Sequence, residues 1–328
     1  MSDSGLLNQF LKQNKLSIPA KVFYNHFYAA LFYIKNDIER LDLKKIPYFN
    51  KLRIRNDSID LPKIRKLLWN AWSTEYALAL SNQSDNEDYY KFSLHWNFPQ
   101  AYYSIYLAMT AFHETQGVAN DQHEKSIKLF GNAAKDNHYP ACISYFSSGL
   151  YKDFSYHGLI DFNGIEPSFS SLGNITTKDK AQQQIATFLK STREHQAKHK
   201  RDRSEKSYAR DQRFQNAKGD LTKKFTKKHW DIIYSSIPET TLLNLLYRLR
   251  IKANYLDIET FINADIDFVM FHKVLCGLVN YMNYVHEGYI RKAIGEEDYL
   301  EILGDFKGHI NDEKALKRNE KYYNEVMM

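Results

Sequence analysis

Residues 242–257 read LLNLLYRLRIKANYLD, and Leu242, Leu246, Leu249, Ala253 and Leu256 recur in them at intervals of four and three. That interval is the signature of one helix face, so the stretch predicts a helix whose leucines meet other helices. Arg248, Arg250, Asn254 and Tyr255 are the polar additions to this leucine-rich run. The question is whether they are surface chemistry or part of a site.

The flanking sequence repeats the helical pattern. Downstream, residues 261–295 predict a second long helix with a break near its first aspartate, and upstream the same block opens at Ile237-Pro238-Glu239. Residues 99–117 carry apolar or aromatic positions at 102, 105, 106, 109 and 112, with Pro99 near the start and Gly117 past the end. Residues 121–136 place Ile127, Phe130 and Ala134 on one side of a further helix. Residues 19–40 and 61–80 read as amphipathic helices, the second with Leu68, Trp72, Tyr76 and Leu80 at strict four-residue spacing. Residues 139–174 hold no long period, which leaves irregular packed structure or short strands; helical character returns at 176–190.

Composition agrees with this reading. Gly and Pro together number 20 of 328 residues, too few for a turn-rich β fold, and 43% hydrophobic residues suffice for a core. An all-α protein is the expectation. The N-terminus has no basic stretch followed by an apolar one, and no window reaches about eighteen apolar residues, so neither a secretion signal nor a membrane span is expected. A cytoplasmic location follows as the default. Cys142 and Cys276 read as buried free thiols, and the scattered histidines form no metal-ligand spacing, so neither metal nor cofactor is expected.

Charge is localised. Residues 193–229 contain 13 Lys or Arg against 5 Asp or Glu, whereas the rest of the chain holds 32 against 34. Such a segment attracts phosphate backbones, and Arg201, Arg203, Arg210, Arg213, Lys223, Lys224, Lys227 and Lys228 are its candidate nucleic-acid contacts. A solvated helix face is the alternative. Tyr208, Phe214 and Phe225 either stack on bases or anchor the segment.

Two separated stretches resemble the HEPN family, small helical domains named for nucleotide binding in higher eukaryotes and prokaryotes. The first is PQAYYSIYLAMTAFHETQGVANDQHEKSIKLF, with Ala101-Tyr102-Tyr103, Phe112, Gly117, His123 and Phe130 in the family's order; Gln100 replaces the usual arginine. The second is LLNLLYRLRIKANY, with Arg250, Ala253, Asn254 and Tyr255 in register with a pattern like LLxxLxxLRxxADY. The resemblance implies a HEPN-like antiparallel bundle in two halves, residues 91–137 and 226–310. These are elaborated by an N-terminal helical extension (1–90), an insertion (138–225, basic from 193) and a C-terminal helical tail (311–328).

Many family members are metal-independent RNases in toxin, antiviral-defence or stress settings, often dimeric, with an arginine followed four to six residues later by a histidine. A histidine assists removal of the 2′-hydroxyl proton and the arginine stabilises phosphate charge. Here Arg250 is followed by Tyr255, and a tyrosine near its reference pKa of about 10 is a poor base. The resemblance therefore implies Arg250 on phosphate with Asn254 or Tyr255 positioning the hydroxyl. The alternatives are a non-catalytic scaffold that binds a partner protein or nucleic acid, and Arg250 and Tyr255 acting as helix-end hydrogen-bonders beside a solvated Lys252. Arg193 and His199 match the catalytic spacing literally, but in a region dense in both residue types, where chance explains the match. His123 is expected at a helix start and His113 at a polar edge, both without a visible partner.

Overall fold

The computed structural model describes residues 3–54, 59–81, 86–118, 122–160, 162, 164, 175–253, 259–310 and 313–327. Helix accounts for 73% and strand for 5%, so the fold is helical with one local hairpin. In chain order the larger elements are α1 (Asp3–Lys35), α2 (Pro47–Lys51), α3 (Leu61–Leu80), α4 (Glu87–Phe92), α5 (Leu94–Thr115) and α6 (His123–Lys135). The hairpin β1 (Phe146–Leu150) and β2 (Asp153–His157) precedes α7 (Lys178–Arg203), α8 (Glu205–Tyr208) and α9 (Lys227–Ser235). Then come α10 (Leu242–Ala253), α11 (Glu259–Ile262), α12 (Phe268–Ile294), α13 (Glu296–His309) and α14 (Glu313–Tyr322).

Helix α5 is the axis of the main core. Its end shows why Gly117 stands there: with φ at +71°, Gly117 N–H donates to Glu114 O and Val118 N–H to His113 O, which satisfies carbonyls the helix leaves open. The helix begins at Leu94, so Pro99 is its sixth residue and not a first-turn residue. Helix α3 runs antiparallel to α5, held near the middle by Ser104 Oγ on Ala71 O (3.0 Å) and at one end by Lys63 on Glu114 (2.7 Å). In α3 the buried set is Ile64, Leu68, Ala71, Trp72, Glu75 and Leu78, while Leu80 is exposed. A strict four-residue stripe drifts about 40° per step around a 3.6-residue helix, so mixed threes and fours stay inside and Leu80 rotates out.

Helix α12 lies alongside both. Phe98 meets Phe271 at 5.3 Å and Phe112 meets Tyr289 at 5.3 Å, which sets α12 parallel to α5. Its start is capped by Asp267, whose carboxylate accepts from Met270 N–H at 2.7 Å; this is the physical form of the break expected near the first aspartates. Between α3, α12 and α14 lies a buried ionic centre. Arg318 donates to Glu75 (2.8 Å), to both oxygens of Glu287 and to Asn280, and Glu287 also accepts from Trp72 (2.8 Å) and Tyr299 (3.1 Å).

A second, smaller core gathers Ala197, Phe214, Ile233, Tyr234 and Ile237, with Tyr151, Phe154, Tyr208, Phe225 and Trp230 packed on it. It draws on the hairpin, the far end of α7 and α9, and so reaches past residue 225. The near end of α7 joins the main core through Ile185, Phe188 and Leu189. Gly149 is required in the hairpin: its φ is +103°, and a Cβ there would sit 2.2 Å from Asp153 O. Strand β1 is paired on one side with β2 and bridged on the other to Thr240, with both Ser147–Thr240 backbone bonds at 2.9 Å. Residues 237–241 are thus connecting backbone, and α10 starts at Leu242 and not at Ile237.

Candidate functional site

Helix α10 buries Leu242, Leu243, Leu245, Leu246, Leu249 and Ala253, as its spacing demands, and packs against α5. That contact carries Arg250 to Tyr103, whose hydroxyl accepts a hydrogen bond from the guanidinium at 2.6 Å. The same guanidinium lies over the rings of Tyr102, Tyr103 and Tyr247 at 6.0, 5.1 and 5.6 Å. Its Nε is buried with no hydrogen-bond partner among the described residues. Asn254 and Tyr255, the other two candidates on this stretch, and Leu256 lie outside the described residues.

A histidine enters the cluster from elsewhere in the chain. Helix α6 runs antiparallel to α10, with His123 against Tyr247 (5.8 Å between rings) and Gly131 against Glu239. His123 is therefore boxed by Tyr102, Tyr103, Tyr106 and Tyr247, and its Nδ1 is 3.0 Å from the Tyr102 hydroxyl. The sequence places His123 correctly at a helix start but misses this partner. Burial, and after it the positive charge of Arg250, hold the imidazole below its ordinary range, so it is neutral at pH 7. The Tyr102 phenol is pushed up by burial and stays protonated. No signal within residues 242–257 reports His123; only the order of motifs in the two halves puts both on one list.

Behind Tyr247 opens a cleft of about 270 Å³, lined by α6, α7, the α9–α10 connection and α10. Its charged and polar groups include Arg248, His195, His199, Lys200, Gln196, Thr192 and Asn244. Arg248 makes one long bond, to Ser191 Oγ at 3.5 Å, and rests on the Phe23 ring at 5.0 Å. Burial lowers it to about 10. His195 is lowered to about 4 by burial, then by Arg248 and His199.

Arg193 has a different task from the one its spacing to His199 suggests. It is buried and donates to the carbonyls of Gly149, Ser147, Pro238, Tyr234 and Ile237 and to Thr240 Oγ1, stitching α7 to the hairpin and to the end of α9. His113 is buried, not at a polar edge, and burial lowers it to about 4. Lys252 lies against the Phe23 ring at 5.5 Å and is not simply solvated. Cys142 is buried beside Tyr281, while Cys276 is only half-buried.

The basic segment is partly neutralised by acidic partners inside and outside it. Arg201 pairs with Asp202, Arg203 with Glu124, Arg213 with Asp211 and Lys227 with Asp231, all at 2.6–2.8 Å. Arg210, Lys223, Lys224 and Lys228 are exposed, with no acidic partner among the described residues. Phe214 is fully buried and stacks on Tyr208 at 4.3 Å with Phe225 beside it, so Phe214 anchors the small core, while Tyr208 and Phe225 pack on it half-buried. Among the described residues no three His, Cys, Asp or Glu side chains are grouped to hold a metal ion, and no helix is long and apolar enough to cross a membrane. Comparison of the chain with protein-family models, with curated proteins and with solved structures finds no match.

Proposed function

We propose that the protein acts on RNA as a metal-independent endoribonuclease with a HEPN-like core, using His123 and Arg250 from different helices. The observation that carries this reading is their meeting in one tyrosine-lined cluster. The histidine absent from position 255 has a counterpart on α6, beside the arginine and neutral at pH 7. With its proton on Nδ1 facing the Tyr102 oxygen, His123 keeps Nε2 as an acceptor for a ribose 2′-hydroxyl proton. The 2′-oxygen then attacks phosphorus, the bond to the 5′-oxygen breaks, and that oxygen leaves as a hydroxyl with a proton taken from water. Arg250 stabilises the charge on the phosphate oxygens. Arg210, Lys223, Lys224 and Lys228 supply the salt-sensitive part of RNA binding. A two-fold assembly would join two such clusters in one cleft.

A second reading is a HEPN-like scaffold that binds a partner protein or nucleic acid and regulates another enzyme. It is favoured by the bond from Arg250 to Tyr103 and that between His123 and Tyr102, which already use both candidate groups. The deciding experiment is cleavage of a mixed RNA pool in EDTA by wild type, His123→Ala and Arg250→Ala, each shown by circular dichroism to fold and sized in solution. Metal-independent cleavage lost in both variants establishes the enzyme. The acid limb of its rate profile then lies below pH 6.5, because the histidine's pKa is lowered. Folded wild type without cleavage establishes the scaffold.

A further inference from the structure

The cleft behind Tyr247 is lined with hydrogen-bond donors, two of them buried atoms without a partner among the described residues. Thr240 Oγ1 accepts from Arg193, so its own hydrogen goes to Gln196 Oε1 at 2.7 Å, and the Gln196 NH2 is left over. Asn244 Oδ1 accepts from the Thr241 N–H at 2.8 Å, which fixes the amide and leaves its NH2 over as well. The Thr192 hydroxyl and the Arg248 Nε are both buried, and neither has a partner among the described residues. Among the acceptors at the cleft, Pro238 O accepts from Arg193, Ser236 O from Lys200 and one oxygen of the Glu124 carboxylate from Arg203. Ile127, Ile237, Pro238, Ile251 and Tyr247 supply apolar walls.

We propose that this cleft binds a phosphate monoester carried on a flat apolar or heteroaromatic body, with the phosphate on Arg248, Thr192, Gln196 and Asn244. The buried Thr192 hydroxyl and Arg248 Nε are costly without acceptors, and the Gln196 and Asn244 NH2 groups beside them donate to the same anion. Arg248 and Lys200 both line the cleft, and two cations suit the near-double negative charge of a phosphate monoester better than the single charge of a carboxylate. His195, neutral at pH 7, and His199 face the same space with parallel rings 6.4 Å apart, and the apolar walls take the body of the ligand. The proposal does not depend on RNA cleavage at His123 and Arg250.

The test is calorimetric titration of the full chain with phenyl phosphate, benzoate, inorganic phosphate and the four nucleoside 5′-monophosphates. Phenyl phosphate or a nucleotide binds about tenfold more tightly than benzoate and inorganic phosphate, and about tenfold more weakly to Arg248→Met and Thr192→Val, the second a nearly isosteric change. Preference for the nucleotides over phenyl phosphate identifies the body as a base. A short RNA binding the cleft in place of free nucleotide, with the same sensitivity to Arg248→Met, assigns the phosphate to a polynucleotide terminus. Equal affinity for benzoate, no saturable binding by any probe, or affinity unchanged in both variants overturns the proposal.

Discussion

Arg318, fully buried, and Arg248, half-buried beside a cleft, are two arginines treated in opposite ways. At the α3–α12–α14 junction, Arg318 faces Glu75 and Glu287, and these carboxylates are held in turn by Asn283, Trp72 and Tyr299. At the α7–α10 cleft, Arg248 has no carboxylate in contact among the described residues and a single 3.5 Å bond. Arg193, close to the cleft, shows that carbonyls alone can satisfy a buried guanidinium in this fold. The lesson is that the chain neutralises or saturates its fully buried arginines, whereas the half-buried Arg248 and Arg250 keep one hydrogen bond each, and Arg248 borders a cavity.

The contrast is most exposed to failure at Arg318. Arg318→Ala strands two buried carboxylates and should cost about 3–5 kcal/mol in denaturant unfolding. The triple change Arg318→Met, Glu75→Gln, Glu287→Gln should cost less than the single one. A single variant within 1 kcal/mol of wild type, on the order of a surface substitution, would remove one pole of the comparison. Next in size is Arg193→Ala, which orphans several carbonyls and should cost about 3 kcal/mol, with hydrogen exchange rising first in β1 and α9. Arg193→Lys should lose most of the same stability, since an ammonium cannot reach as many acceptors.

Acid sharpens the comparison through the histidines. Burial lowers His26 and His286 to about 3 and His113 to about 4. The unfolded chain takes up these protons as pH falls below about 6.5 and the folded chain does not, so stability falls with acidification through the window from about 6.5 to 4. Each such group contributes a slope of about 1.4 kcal/mol per pH unit. Replacing His286 by Phe should flatten the slope of melting temperature against pH over that window, and an unchanged slope would show that it is not buried neutral. The smallest expected effects belong to the cleft: Arg248→Met and Thr192→Val should each shift stability by about 1 kcal/mol or less, because neither residue has strong partners to lose. A loss of several kcal/mol in Arg248→Met would make it a structural arginine like the other two.

Helices were legible because their signals are local. The four-and-three spacing of Leu242, Leu246 and Leu249, the glycine at 117 and the aspartate before residue 268 each act within one or two turns, and each stands where its physics requires. The leucine-rich run, the paucity of Gly and Pro and the charge confined to 193–229 settle a helical chain with one basic region. Proximity between distant residues is set by packing, on which a local period is silent. The meeting of His123 with Arg250, the saturation of Arg193 by five carbonyls, the burial of Phe214 and the leftover donors around Arg248 depend on how α5, α6, α7 and α10 cross. Those crossings follow from side-chain interlock across the whole core, so the same arginine type becomes a cross-brace at 193, an ion-pair centre at 318 and a donor lining a cavity at 248.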